Sequence, residues 1–599
     1  MNFSRFLKIM HGGLLFDTSA ILFTNALYIF LFLIPFPFTH QSGFQKVLKY
    51  LFLITNSIAL SANIADTFYF DFTTKRTAAD VFMYMGEGNG FDLLKSFLIS
   101  YWYGFLIGIV FILLLIFISN KLKSVKPKKL HFWTYFFSGL VILGLSGFLS
   151  VIGMRGSFVI KTFPITLGDA GNYTTKSMDM ALVLNTPFSI YKTLEKRSLK
   201  KKSYFSDQEL RQIINPIHPP DSEEAFDYKN VVIIVLESFS NEYIGCLNPE
   251  TSPENSYTPF LDSLISAGKI FPRAFATGRQ SVSALPAITA GIPFVKQAYV
   301  SSAYATNRVT SLGSELEKKG YHNSFFHGAE NGSLGIDAFM TLAGYPNTYG
   351  KQEYNNDNDY DGTWGIWDED FMQFFAHKLT TFPEPFHSVF FSLSSHNPYD
   401  IPEKYDKKFK HIKSDKHKTY AYTDFALKRF FQTINSKPWF KNSLFVVTAD
   451  HSKPSRTARY ANNIGLYNIP LLFYSPADSS LAGNDSTIVQ QLDVMPTILN
   501  YLNYDQVFFS LGTDILKPDN EKGAITYLTN SWQYIKGNYL VEMQADTLFS
   551  LYNFSENISL SKNLIDSQRN KAEQMSRYLK AFIQEHNKRM IENSMVEDE

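Results

Sequence analysis

Four apolar stretches dominate the first quarter of the chain, at residues 14–36, 47–65, 97–118 and 132–151. Each is close to the roughly 20 residues that a helix needs to cross a hydrocarbon core, so the pattern predicts four membrane helices. None has the short apolar core and small-residue cleavage site of a secretory signal. Tyr101, Trp102, Tyr103, Trp133 and Tyr135 stand near their ends, where aromatic belts meet the interface. From residue 228 the period changes. Residues 230–236 are a continuous β-branched and aliphatic run, as expected of a strand covered on both faces. Similar runs recur at 389–393, 444–448 and 470–474, separated by helical or loop stretches. Strands alternating with helices predict a layered α/β/α domain built on a largely parallel sheet. The organisation read from this pattern is a transmembrane domain at 1–154, a juxtamembrane linker at 155–227, a catalytic domain at 228–535, and a small C-terminal subdomain with a charged helix at 536–599.

Charge orients the helices. Residues 120–130 carry Lys121, Lys123, Lys126, Lys128 and Lys129 with no acidic residue, which assigns that loop to the cytoplasm and everything after Met154 to the outside. Four crossings then place the N-terminus outside as well, although it carries Arg5 and Lys8. Either that bias is outweighed or a further helix precedes this start. Asp66, Asp71, Lys75, Arg76 and Asp80 read as an interfacial loop beyond the second helix, with lipid-headgroup contact as the alternative. The linker mixes apolar residues with Lys192, Lys196, Arg197, Lys200, Lys201 and Lys202, the composition of helices lying on a bilayer surface. Over all 599 residues the net charge is +1, which argues against nucleic acid as a partner. The single cysteine, Cys246, excludes an internal disulfide framework and any thiolate metal cluster, and is expected to be a small buried residue.

Ligands of open α/β sheets collect at the carboxyl ends of strands. Three predicted strands end in polar pairs there: Glu237-Ser238, Ser395-His396 and Asp450-His451. Glu237, Asp450 and His451 form a mixed oxygen and nitrogen set suited to Mn²⁺, Mg²⁺ or Zn²⁺, and three protein ligands leave a position open for chemistry. A nucleophile is offered by Ser281, at the predicted start of a short helix, where free N–H groups and the helix dipole favour an alkoxide. The same position suits a plain N-cap for Ser281 or Ser283.

The segment Thr258-Pro-Phe-Leu-Asp-Ser-Leu-Ile-Ser-Ala-Gly268 resembles the stretch that precedes the nucleophile in sulfatases, and Ser281 lies ten residues before Gly291 as the modified cysteine does there. Here the residue is Ser, and Leu285 stands where the maturation motif has Arg, which argues against a formylglycine sulfatase. With Leu236-Glu-Ser-Phe239, Phe325-Phe-His-Gly328, Trp364-Gly-Ile-Trp-Asp-Glu369, Ser394-Ser-His-Asn-Pro398, Thr448-Ala-Asp-His-Ser452 and Gln491-Leu-Asp-Val-Met-Pro-Thr-Ile-Leu499 in this order, the chain resembles the lipoteichoic acid synthase-like phosphoglycerol transferases of the sulfatase and alkaline phosphatase superfamily.

That resemblance implies a sulfatase-like catalytic domain behind a multi-helix anchor in the cell membrane. It implies a metal, Mn²⁺ first, bound by Glu237, Ser281, Asp450 and His451, with Ser281 as nucleophile and His327 and His396 contacting the phosphoglycerol group. The implied partners are a phospholipid donor, phosphatidylglycerol, and an envelope glycan or glycerol-phosphate acceptor. Phosphoethanolamine transfer, hydrolysis and a catalytically dead binding protein are the alternatives. One departure bears on the headgroup: Leu334 and Ile336 fall about where the branch has a Trp and an Arg that hold substrate. Trp364 and Trp367 are expected to lock a loop or pack the core, residues 491–499 to form an amphipathic scaffold helix, and the tail to be a small subdomain ending in a solvated helix.

Overall fold

The computed structural model describes residues 3–73, 76–79, 101–122, 131–158, 164–194, 199–248, 255–517 and 523–597. Lys75, Asp80, Lys123, Lys126, Lys128, Lys129, Lys196, Arg197 and the start of the third apolar stretch lie outside the described residues. The chain divides into two compact units, Met1–Ser198 with Ser301–Asn307, and Leu199–Val300 with Arg308–Glu599.

The first unit is helical: α1 (Phe3–Thr24), α2 (Ala26–Leu33), α3 (Ser42–Thr73), α4 (Trp102–Lys121) and α5 (Phe132–Arg155). Four of these, α1, α3, α4 and α5, are long and apolar enough to cross a membrane. The first begins upstream of the predicted stretch. Its inner face, Ile9, Gly12, Phe16, Ser19 and Ala20, has helical spacing that the polar residues between them hide from an apolar-run reading. It breaks at Asn25, whose amide exchanges hydrogen bonds with Asn56 of α3 at 3.1 and 2.7 Å. The expectation of an interfacial loop at Asp66 also needs correction. Asp66 lies inside α3, buried, because Arg76 Nη1 neutralises it at 2.8 Å and Thr77 N–H donates to it at 2.7 Å. Arg76 Nε in turn donates to the carbonyls of Ala181 and Leu184. Short helices Ser177–Val183 and Thr186–Thr193 complete this unit, tied to it by Asn185 donating to Asp17 and by Thr186 N–H donating to Asn63.

The second unit is built on an eight-stranded sheet. Its strands are β1 (Asn230–Leu236), β2 (Lys269–Ile270), β3 (His322–His327), β4 (Asn347–Tyr349), β5 (Phe386–Phe391), β6 (Ser443–Ala449), β7 (Leu471–Tyr474) and β8 (Gly483–Asn484). The order is β8-β2-β7-β6-β1-β5-β3-β4. Strands β6, β1, β5, β3 and β4 pair in parallel, and β7 joins β6 antiparallel. Every residue of β1, β5 and β6 is buried, as strands covered on both faces must be. Helices α6 (Pro259–Ala267), α7 (Ser281–Ala290), α8 (Asp368–Leu379), α9 (Asp415–Ile434) and α10 (Val494–Tyr501) surround the sheet. Aromatic rings seal one layer: Phe375 of α8 meets Phe326 of β3, Phe390 of β5 and Phe430 of α9 at centroid distances of 4.6, 5.1 and 5.2 Å.

Beyond the sheet, β9 (Ala524–Leu528), β10 (Ser531–Lys536), β11 (Tyr539–Gln544) and β12 (Thr547–Asn553) form an antiparallel meander against which the long helix α11 (Arg569–Glu592) packs. Half of α11 is buried rather than solvated throughout. Helix α10 is apolar on nearly every side, since residues 494–499 are all buried. Cys246 is exposed, contrary to expectation: it sits in the loop after Tyr243, where its backbone N–H donates to Asp262 Oδ1 at 2.9 Å.

Candidate active site

The site follows from the register of two neighbouring strands. Leu236 at the end of β1 pairs with Ala449 at the end of β6, so the next residues, Glu237 and Asp450, emerge side by side. Asp450 N–H still donates to Leu236 carbonyl at 3.2 Å, the last bond of the ladder. Ser238 then takes a left-handed turn (φ 57°) that directs its N–H at Asp450 Oδ1, 2.6 Å away, and His451 N–H donates to the same oxygen at 2.6 Å. The other oxygen, Asp450 Oδ2, is buried without a hydrogen bond and faces His451 Nε2 at 3.3 Å. Ser238 Oγ donates to Glu237 Oε1.

Helix α7 brings the hydroxyl. Ser281 is its first residue and Gln280 its N-cap, so neither Ser281 nor Ser283 occupies the cap position. Ser281 Oγ lies 3.1 Å from Glu237 Oε2 and 3.4 Å from His451 Nε2. Ser283 Oγ turns back to Gln280 carbonyl. Gly291 ends the helix in the left-handed region (φ 62°), where a Cβ would press on Ser510 Oγ at 2.9 Å. The ten-residue spacing seen in the sequence is therefore the length of α7.

Among the described residues, Glu237, Asp450 and His451 form the group able to hold a metal ion, with one ligand atom from each lying within 4.8 Å of the others. Its electrostatics match. Burial pushes the Asp450 carboxyl well above the usual carboxylate range, and the adjacent Glu237 charge adds to this. Burial works against an ionised Glu237 too, but the neighbouring His451 ring and the hydrogen bond from Ser238 hold its carboxyl below its usual value. Burial lowers the His451 pKa, and its Nδ1 faces Ser452 carbonyl at 2.9 Å, so the neutral ring presents Nε2 as an acceptor toward Ser281. Two buried carboxylates, an orphaned oxygen and a neutral imidazole fit a divalent cation with hard oxygen ligands.

His327 and His396 lie outside that group but within reach of the Glu237 charge. His327 ends β3, buried, with Nδ1 3.2 Å from Phe391 carbonyl, and burial lowers its pKa. His396 is half-buried beside the Trp364 ring, 4.0 Å away. Trp364 Nε1 donates to Asn397 carbonyl at 2.6 Å, which locks the two loops together as expected, while Trp367 packs edge-on against Tyr422. Leu334 is half-buried at a positive φ of 57°, and Ile336 is in the core.

Two residues escape a reading of the sequence alone. Gln491 is buried: its Oε1 accepts from Thr277 N–H at 3.0 Å, and its Nε2 donates to the carbonyls of Ala449 and Asp450 at 2.9 and 2.8 Å. One amide thus ties the loop that delivers Ser281 to the strand end that delivers Asp450. Arg279 carries a buried Nε without a partner, and its charge is felt by His451. A polar residue opening an apolar run is the faint signal for Gln491; nothing in the pattern singles out Arg279.

Residues 229–504 match the Sulfatase family model. Over that span the chain is similar to the sulfatases. The chain is 22% identical over 405 residues to a lipoteichoic acid synthase-like protein of Bacillus subtilis, covering 60% of this chain and 63% of that protein. It is 24% identical over 513 residues to lipoteichoic acid synthase 1 of the same species, covering 78% of this chain and 75% of that protein. The chain therefore spans under two thirds of the first relative and three quarters of the second. Among solved structures, a protein of the alkaline phosphatase superfamily from Vibrio parahaemolyticus superposes with a TM-score of 0.56 at 23% identity, covering 66% of this chain and 99% of that one. A lipoteichoic acid synthase from Listeria monocytogenes superposes with a TM-score of 0.52 at 18% identity, covering 65% and 98%. The sulfatase-like α/β fold behind four long apolar helices, and the resemblance to the lipoteichoic acid synthase-like proteins, are thereby established.

Proposed function

We propose that the chain is a membrane-anchored, metal-dependent transferase that moves a phosphoglycerol group from phosphatidylglycerol to an acceptor hydroxyl of an envelope glycan or glycerol-phosphate polymer, through a covalent intermediate on Ser281. The observation that carries this reading is the Ser281 hydroxyl, set at the N-terminus of α7 and 3.1 Å from a buried carboxylate that belongs to a metal-competent group. The names of the relatives support the transferred group.

Glu237, Ser281, Asp450 and His451 would hold the cation, Mn²⁺ before Mg²⁺ or Zn²⁺, which when bound lowers the proton affinity of the serine hydroxyl and neutralises phosphoryl charge. Ser281 gives its proton toward Glu237 Oε2, and Oγ forms a bond to phosphorus as the diacylglycerol oxygen leaves and is protonated by water. The first N–H groups of α7 face the phosphoryl oxygens. His327 and His396 hold the headgroup side of the phosphodiester. An acceptor hydroxyl then displaces the phosphoserine: its proton neutralises the hydroxide left by the first step, and Ser281 takes its own proton back from Glu237. With a lipid donor, the four apolar helices make sense as an anchor in the cell membrane, and the catalytic domain belongs on its outer side.

Purified full-length protein incubated with headgroup-labelled phosphatidylglycerol or phosphatidylethanolamine, with Mn²⁺ or with EDTA, tests this by mass spectrometry of Ser281. Glycerol-phosphate label on Ser281, lost with EDTA, is the expected result. Label from phosphatidylethanolamine alone would change the headgroup, and free headgroup released without acceptor would make the enzyme a hydrolase. Label retained by Ser281→Ala, or indifferent to chelation, would overturn the mechanism.

A further inference from the structure

A second concave site lies away from Ser281, where the β10–β11 turn meets the start of α11. Its cavity measures about 580 Å³. Three cations line it, Arg273, Lys536 and Lys571, and none of its described lining residues is acidic. Two carboxylates that adjoin its lining segments in sequence are already engaged. Asp485 pairs with Lys269 at 3.3 Å and accepts from Thr487 N–H, and Glu573 pairs with Arg569 at 3.0 Å.

The cations are placed by other contacts than ion pairs. Arg273 is half-buried, donates to Gly537 carbonyl, and lies 5.4 Å from the Phe554 ring, so burial lowers its pKa with no carboxylate to offset the cost. Lys571 Nζ sits 4.2 Å over the Tyr539 ring. Tyr534 and Tyr578 stack at 5.2 Å on the same wall. Tyrosine rings with cations around them suit a ligand that alternates anionic and polyol groups.

The cavity is also wired to the catalytic loop. Arg273 immediately precedes the short strand Ala274–Phe275, and the chain reaches Ser281 within eight residues, a span of at most about 27 Å. That strand pairs with Val489–Gln490, Gln490 Oε1 accepts from Ile525 N–H of β9, and the next residue is Gln491, which brackets the nucleophile loop.

We propose that this cavity binds an anionic oligomer of phosphodiester-linked polyol units, holding an acceptor chain while its end reaches Ser281. The acceptor role rests on the transferase reading; the binding itself does not. The test uses full-length protein in detergent and three probes: a fluorescently labelled short poly(glycerol phosphate), a neutral dextran of similar length, and inorganic phosphate as competitor. The expected result is binding of the phosphodiester oligomer that weakens with salt, that dextran does not reproduce, and that loses about tenfold in affinity in Lys536→Gln/Lys571→Gln. Ser281 labelling by donor lipid should be unchanged in that variant, which also reports that it is folded. Equal oligomer affinity in the double variant, or equal affinity for dextran, would overturn the proposal. Oligomer binding without Ser281 labelling would instead sink the transferase reading and leave the cavity assignment standing.

Discussion

The two units invert one another. In the helical unit, large apolar side chains face outward: Val110 of α4 is 63% exposed and Phe148 of α5 is 62% exposed. Polar groups turn inward there, Asn25 to Asn56 and Asp66 to Arg76. In the catalytic unit the apolar residues fill β1, β5 and β6, and most charge is on the surface. Both units bury carboxylates, and the difference lies in their partners. Asp66 has a guanidinium and a backbone N–H, so it is finished as a structural group. Asp450 keeps one oxygen without a hydrogen bond beside a second carboxylate. A buried charge that is fully paired holds a fold together; one left half-paired marks where a ligand belongs.

Replacing each aspartate by asparagine separates these two kinds of burial. Asp450→Asn should cut transfer activity by about 10³-fold, through loss of the metal ligand. Its melting temperature without metal should hold or rise, because burial disfavours the Asp450 charge and the amide is a neutral isostere. Mn²⁺ should raise the melting temperature of the wild type and not that of this variant. Asp66→Asn should do the reverse. It leaves the half-buried Arg76 without its counter-charge and should destabilise the helical unit by on the order of 3 kcal/mol, while Mn²⁺ should still stabilise the catalytic unit. Thermal scans of both variants with and without Mn²⁺ would show this crossover; parallel responses would refute it.

The sequence carries the fold wherever one residue type decides the outcome. β-branched runs mark β1 and β6, because burial on both faces restricts which residues serve there, while the spacing from Ser281 to Gly291 is legible through the resemblance to sulfatases. Strand β3 was visible only as the motif ending in His327, since His322, Asn323 and Ser324 break its apolar pattern. The same limit hid Asp66, whose partner is ten residues away in sequence, and Gln491, whose three partners lie 41, 42 and 214 residues away. Long-range hydrogen bonds leave no local periodicity. Gln491→Ala should keep the fold and metal binding but lower kcat by about 10²-fold through a misplaced Ser281. Gln491→Glu, which keeps the acceptor and loses the donor, should fall between. A change confined to KM would mean that the amide positions substrate instead.

The mildest contrast concerns a buried group with no ligand role. His586 of α11 is buried, 6.3 Å from both the Phe582 and Trp532 rings, and its Nδ1 faces Asn587 Oδ1 at 3.0 Å. Burial lowers its pKa from 6.5 to about 4. As pH falls from about 6.5 to about 4, the unfolded chain takes up a proton that the folded chain refuses, so stability declines across that window and is level above it. By pH 5 the loss reaches up to about 2 kcal/mol. His586→Phe keeps the stacked ring and removes the proton site, so its melting temperature should fall less than that of the wild type between pH 7 and pH 5. The slope should flatten without vanishing, because His387, buried in β5 between Tyr345 and Val231, is also held at about 4. Identical slopes for the variant and the wild type would mean that α11 admits water at His586, and that this part of the catalytic unit is less tightly packed than the sheet it adjoins.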